Sequence, residues 1–297
     1  EAVAGLQAAM QEREAAILEL SRQLELRGGA MPGAGEPLDL PGLQQDLGAE
    51  TALAAYFSLD GELLAFLVTD QGVEVARALA DEAAVEELVG SLRFQIDALR
   101  RGAHQNPAHQ AQLLRRVRHY LRRLHELLLA PLEPRIGARR LVVVPHRQLH
   151  YVPFHALYDG ERYVVERREV CTVPSASVLH HCMARPRGAG QGALLLGVPD
   201  ARAPRVRDEI QALASLFAEP VVLLGPDAQA AALRRHAPGA AIVHLACHGT
   251  FRPDSPLFSA LHLADGLFTT RDAYGLELHC DLVTLSACET GVNRVAP

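Results

Sequence analysis

The sequence predicts an α/β protein whose second half is a mostly parallel sheet flanked by helices, preceded by a mixed α/β front subdomain. One observation is a series of short apolar runs, Ala193 to Val198, Val221 to Leu224 and Ala241 to Ala246, separated by helical patterns at about 205–217 and 228–236. Strands spaced one helix apart are the signature of parallel βαβ units. A second is Val142 to Val144, β-branched and dense enough to be buried on both faces. The third is TALAAYFSLDGELLAFLVTDQGVEVARAL from Thr51, which alternates like two strands joined at Asp60-Gly61, a dipeptide suited to a tight hairpin turn. Helical patterns follow at about 82–101 and 107–130, and several short strands are expected from Leu141 to about residue 182. Beyond Ala246, a hairpin-like excursion and a short helix near 270–276 lead to Leu282 to Leu285, read as a fourth strand of the second sheet.

Composition bounds the class. With 297 residues, 49% hydrophobic and 22% charged, and a mean hydropathy of +0.05, the chain can bury a sizeable core, which excludes a disordered or collagen-like protein. Its longest apolar runs are strand-sized, so no transmembrane helix and no membrane partner are expected. All 29 basic residues are Arg, and the net charge of −6 argues against a nucleic-acid footprint. Arg115, Arg116, Arg118, Arg122 and Arg123 do cluster, but Leu113, Val117, Tyr120, Leu121, Leu124, Leu127 and Leu128 run between them at three-and-four spacing. That is a helix with one buried stripe and one solvated face, so no direct nucleic-acid contact is expected. Five cysteines, Cys171, Cys182, Cys247, Cys280 and Cys288, are an odd number in a chain too large to need disulfide staples, which predicts a reducing, cytoplasmic setting.

Residues 1 to about 27 pattern as one amphipathic helix, with Leu6, Met10, Ile17, Leu20 and Leu24 on a shared face. Gly28 and Gly29 end it, and a Pro/Gly-punctuated stretch over 30–37 follows, so residues 1–40 read as a helical segment and linker. The chain opens on Glu1 without the apolar core of a signal peptide and reads as a fragment of something longer. The front subdomain is expected over 41–185 and the second over 186–297, divided at the glycine-rich stretch 188–192.

The chemistry is expected at two strand ends. The run at 241–246 leads straight into Cys247-His248-Gly249, and that at 282–285 into Ser286-Ala287-Cys288-Glu289-Thr290-Gly291. In an open α/β sheet, reacting groups gather beyond the carboxyl ends of the strands, so neighbouring strands would bring His248 and Cys288 together. A thiol is mostly protonated near neutrality and becomes a useful nucleophile when an imidazole takes its proton. Backbone N–H groups at Gly249 and Cys288 suit an oxyanion site, where a glycine lets a carbonyl oxygen approach. Strand alternation turns Cys247 to the opposite face, a core position, and sets His244 on the face of His248 as a packing or supporting residue.

HLACHGTF, then SPLFSALHLADGLFTTRDAYGLEL, then DLVTLSACETG, resemble the CHAT domain, a caspase-like, separase-related family of cysteine peptidases. LVVVPHRQLHYVPFHAL, VPSASVL and TALAAYFSLDGELLAFLVTD resemble the family's front half, so the likeness is spread over about residues 43–291. The resemblance implies a caspase-like fold, with His248 as general base, Cys288 as nucleophile and Gly249 beside the oxyanion. It implies an endopeptidase acting on a protein substrate without a cofactor. It also implies a regulatory protein partner recruited through upstream tetratricopeptide repeats, of which the helix before Gly28 would be the end. The alternative is a catalytically silent scaffold module that binds proteins through the same fold.

The sequence departs from the family in three places. It stops nine residues beyond Cys288, so the sheet is expected to be truncated at its C-terminal end. The acidic residue that lines the first specificity pocket of basic-residue-specific relatives has no assigned position, with Asp254, Asp265 and Asp281 available. Pro145-His146-Arg147-Gln148 stands where the family usually carries an acidic residue and glycine, expected to be a surface-turn variation. No metal site is expected, because CxxC and HExxH pairs are absent and His146, His150 and His155 lack a cysteine or acidic partner nearby. GxSxG, the Walker loop and GxGxxG are absent as well.

Overall fold

The computed structural model describes residues 12–13, 15–17, 19–20, 38–100, 107–137, 139–184, 190–252 and 255–287. Those at 12–20 are helical; the rest of the amphipathic pattern over 1–27, and the stretch 30–37, lie outside the described residues. From residue 38 onward the chain forms two compact units, one over 38–184 and one over 190–287.

The first unit contains α1 (Leu40–Leu47), β1 (Thr51–Leu59), β2 (Glu62–Thr69), β3 (Gly72–Asp81), α2 (Glu82–Arg100), α3 (Pro107–Leu128), α4 (Glu133–Ile136), β4 (Arg140–Val144), β5 (Val170–Thr172) and α5 (Ala176–Ala184). Its sheet order is β3-β2-β1-β4-β5, with β1, β2 and β3 antiparallel and β4 and β5 parallel to β1 and to each other. Alternation decides the two faces. Ala52, Ala54 and Tyr56 of β1 and Leu63, Ala65 and Leu67 of β2 pack with Val85, Val89 and Leu92 of α2 and Leu121, Leu124 and Leu128 of α3. The intervening Leu53 and Val68, with Val142, meet Leu43 and Leu47 of α1. Tyr56, fully inside, satisfies its hydroxyl by donating to the Leu128 carbonyl at 2.8 Å, which ties the sheet to α3.

Two local expectations change. GVEVARAL is a third strand: Gly72, at φ +149°, opens β3, which pairs with β2 from Thr69↔Gly72 onward. After β4 the chain makes 3₁₀ turns at Arg147–Tyr151, Phe154–Ala156 and Val164–Glu166 rather than several strands, with one isolated bridge between Tyr158 and Tyr163 before β5 pairs with β4. Pro145 and Pro153 have no N–H to give to a ladder there. Arg147 sits at φ +47°, which explains why glycine suits that position, and its guanidinium is held by Glu82 at 3.1 Å.

The second unit contains β6 (Ala193–Gly197), α6 (Val206–Ala214), β7 (Val221–Leu224), α7 (Ala230–His236), β8 (Ile242–Ala246), β9 (His248–Thr250), β10 (Ala260–Leu263), β11 (Gly266–Thr269), α8 (Thr270–Tyr274) and β12 (Leu282–Ser286). A four-stranded sheet runs β12-β8-β6-β7, parallel throughout, and β9, β10 and β11 form a small antiparallel sheet beside it in sequence. Leu194, Leu196, Val243 and Leu245 pack with Leu233 of α7 on one face. On the other, Ala193, Leu195 and Ala246 meet Val206 and Ile210 of α6. This is an α/β fold of the caspase-like kind, a parallel sheet flanked by helices.

Gly197, the last residue of β6, lets α6 sit close: a Cβ there would lie 2.6 Å from Ile210 Cγ1 and 3.1 Å from Val206 Cγ1. Gly197→Val is therefore expected to cost about 1–3 kcal/mol through overpacking, read as a lowered urea midpoint. An unchanged midpoint would mean that α6 is not seated on β6 as described.

Candidate functional site

Parallel pairing sets Gly197 of β6, Ala246 of β8 and Ser286 of β12 side by side. The alignment continues past the strand ends, since Val198 N–H donates to the Ala246 carbonyl at 2.9 Å and Cys247 N–H to the Ser286 carbonyl at 3.3 Å. Three neighbouring segments thus leave the sheet at one edge, the place where open α/β sheets collect ligands. The segment after β8 carries His248 and that after β6 carries Asp200. Cys288 follows Ser286 by two residues and lies outside the described residues.

His248 opens β9 and its side chain is mostly covered, at 18% exposure. Its Nε2 stands 3.0 Å from both Oδ1 and Oδ2 of Asp200. Asp200 is oriented in turn by its own loop, because Oδ1 accepts the N–H groups of Arg202 and Ala203, each at 2.8 Å. That is an Asx turn, which a Pro-Asp-Ala-Arg sequence favours. The bond to His248, then the backbone N–H of Ala203 and that of Arg202, hold the Asp200 carboxyl below the ordinary aspartate range, so it is charged at neutral pH. A carboxylate cannot donate, so the Nε2–H tautomer is assigned and Nδ1 is the nitrogen able to take a proton.

The neighbouring polar residues have engagements of their own. His262 of β10 pairs across from His248, with ring centroids 6.4 Å apart and nearly perpendicular, while its Nε2 meets Thr250 Oγ1 at 2.7 Å. His244, expected to pack or to support His248, is a buried packing residue that binds Thr284 Oγ1 through Nδ1 at 2.5 Å and Glu209 Oε1 of α6 through Nε2 at 2.9 Å. The strand breaks at Cys247 between β8 and β9, so alternation does not carry from one histidine to the other. Cys247 itself is buried at 4% exposure among the residues packed with α7.

Of the aspartates considered for substrate selection, Asp265 accepts the N–H of Ala230 at 3.1 Å and so caps α7, and Asp254 lies outside the described residues. A cavity of about 350 Å³ reaches Gly249 and is walled by Leu245, Leu261, Phe268, Val283 and Leu285, with no charged side chain among the described residues that line it. In the first unit, His146 stacks on Phe57 with centroids 4.8 Å apart, and burial lowers the pKa of both His146 and His150. Among the described residues no group of three His, Cys, Asp or Glu side chains is placed to hold a metal ion. No helix among them is long and apolar enough to cross a membrane.

Asp200 is the residue that reading the sequence missed. The same strand-end rule that singled out His248 and Cys288 applies to β6, whose sequence continues Gly197-Val198-Pro199-Asp200. A carboxylate in an Asx-turn sequence directly after a buried parallel strand was the available signal.

The family model of the CHAT domain matches residues 118–296, about three fifths of the chain. It starts within α3 and takes in the second unit, so β1, β2 and β3, whose sequence also resembles the family, lie outside the matched span. No curated protein matches the chain.

Burial pushes the Cys247 thiol up to about 11. It is therefore protonated at pH 8, and alkylation at that pH is expected to label exposed Cys171 and Cys182 while sparing Cys247 until urea unfolds the chain. Labelling of native Cys247 at the rate of the exposed cysteines would contradict its burial.

Proposed function

The chain belongs to the CHAT domain family, a caspase-like peptidase family, and from that premise we propose that it is a cysteine endopeptidase working through His248 and Cys288. One observation carries the reading: an imidazole held by Asp200 two residues beyond β8, an inner strand of the parallel sheet. The sequence of the adjacent strand runs on to Cys288. In the proposed reaction, His248 Nδ1 takes the Cys288 thiol proton and the sulfur attacks the scissile carbonyl carbon. The N–H groups of Gly249 and Cys288 hold the oxyanion, and the imidazolium then passes its proton to the leaving amine. Water, deprotonated by the same imidazole, releases the acyl group and regenerates the thiol. The substrate is a protein, and a partner protein bound through upstream helical repeats governs activity.

A silent docking module is the second reading. It draws on the apolar row Phe57, Leu59, Phe66, Val73 and Val75 of the first unit, which is 39–52% exposed. Such a module needs no activated thiol, so reactivity separates the two.

At pH 6.5 an isolated thiol is about 1% thiolate, whereas one paired with an imidazolium is largely ionised. The full chain is therefore expected to alkylate at Cys288 roughly 100-fold faster than His248→Ala, measured by mass spectrometry with Cys171 as internal control. Equal rates at Cys288 in the two proteins would favour the docking module.

A further inference from the structure

We infer that Asp200 is the positioning residue of this site: it fixes the His248 tautomer and ring orientation and stabilises the imidazolium that forms when the Cys288 thiol gives up its proton. The inference rests on the peptidase reading and adds a third member, drawn from a third strand end.

Three geometric facts carry it. Both carboxylate oxygens lie 3.0 Å from His248 Nε2, which is hydrogen-bonding distance for each. The carboxylate is not free to swing, because Oδ1 also holds the Arg202 and Ala203 N–H groups at 2.8 Å. The loop bearing it is anchored at its start, through Gly197 pressed against α6 and Val198 N–H on the Ala246 carbonyl. His248 is thus gripped from the side opposite the nitrogen that must accept a proton, the arrangement in which an acid orients a catalytic base. Charge favours it as well. An imidazolium forming at His248 would lie against a carboxylate that is already ionised, and an opposite charge at that range stabilises the protonated form.

The turn makes the inference testable with one atom. In Asp200→Asn the side-chain oxygen must stay on the two backbone N–H groups, which leaves the amide NH₂ where Oδ2 was, facing Nε2. The retained oxygen itself lies 3.0 Å from Nε2 and can still accept its proton, so the change removes the negative charge and sets an N–H donor beside the ring nitrogen, and the imidazolium loses its ion partner. Asp200→Ser retains a turn acceptor without reaching the imidazole, and Asp200→Glu keeps the charge.

The experiment is the pH profile of Cys288 alkylation, from pH 5 to 9, in the full chain with wild-type, Asp200→Asn, Asp200→Ser, Asp200→Glu and His248→Ala, alongside thermal midpoints. The expected wild-type profile is a plateau of reactivity through the neutral range. Asp200→Asn and Asp200→Ser are expected to lose that plateau, falling at least about tenfold near pH 6.5 and rising only as a free thiol ionises, with a midpoint at about 8.5. Their thermal midpoints should stay near wild type, and Asp200→Glu should restore part of the plateau. If wild-type labelling depends on His248 but folded Asp200→Asn or Asp200→Ser keeps the wild-type profile, the role of Asp200 is overturned while the peptidase reading stands. If wild-type labelling is independent of His248, the peptidase reading fails first and takes this inference with it.

Discussion

The parallel pairing of β8 with β6 on one side and β12 on the other is the constraint on which the candidate site depends. Parallel strands in adjacent positions end at the same edge, so whatever follows each of them is delivered to one place. Residues far apart in the sequence, Asp200 and His248, meet at 3.0 Å because Gly197 and Ala246 are neighbours in that ladder. A register slip of one residue would turn buried Val243 and Leu245 off the α7 face, so the hydrophobic pattern of the strands guards the geometry of the site.

Packing then covers both faces of the sheet. The sheet is covered on one face by α7 through Leu233 and on the other by α6 through Ile210, both fully buried. The close approach at Gly197 seats α6 where Glu209 can reach His244. A buried histidine is thereby satisfied at both nitrogens, by Thr284 and by Glu209, and braces β8 against β12. The histidine inside the sheet is structural and the one just past its edge is held by a single carboxylate, a division that follows from their depth.

Much of this was legible in the sequence. The βαβ rhythm located β6, β7, β8 and β12 within a residue or two, and the Asp60-Gly61 turn placed β1 against β2, because burial forces apolar runs and turns force particular residues. The stripe of Leu113, Leu121, Leu124 and Leu128 identified the buried side of α3 despite its five arginines. Less legible were features that depend on long-range partners. The turns after β4 hinge on Arg147 in a left-handed conformation secured by Glu82, 65 residues away. Asp200 is an ordinary turn aspartate until the ladder brings His248 to it from 48 residues along the chain. Of the two roles expected of His244, packing and support of His248, it takes the first, because the strand break at Cys247 separates the two histidines.

The central claim is that one imidazole stands between an acid from one strand end and a thiol from another. A crystal structure of the full chain with an electrophile bound covalently at Cys288 tests it most directly. The account predicts the Cys288 sulfur within hydrogen-bonding distance of His248 Nδ1 while Nε2 keeps Asp200, all beyond the edge formed by Gly197, Ala246 and Ser286. A His248 ring turned from the sulfur, or an Asp200 carboxylate swung away from Nε2, would contradict it.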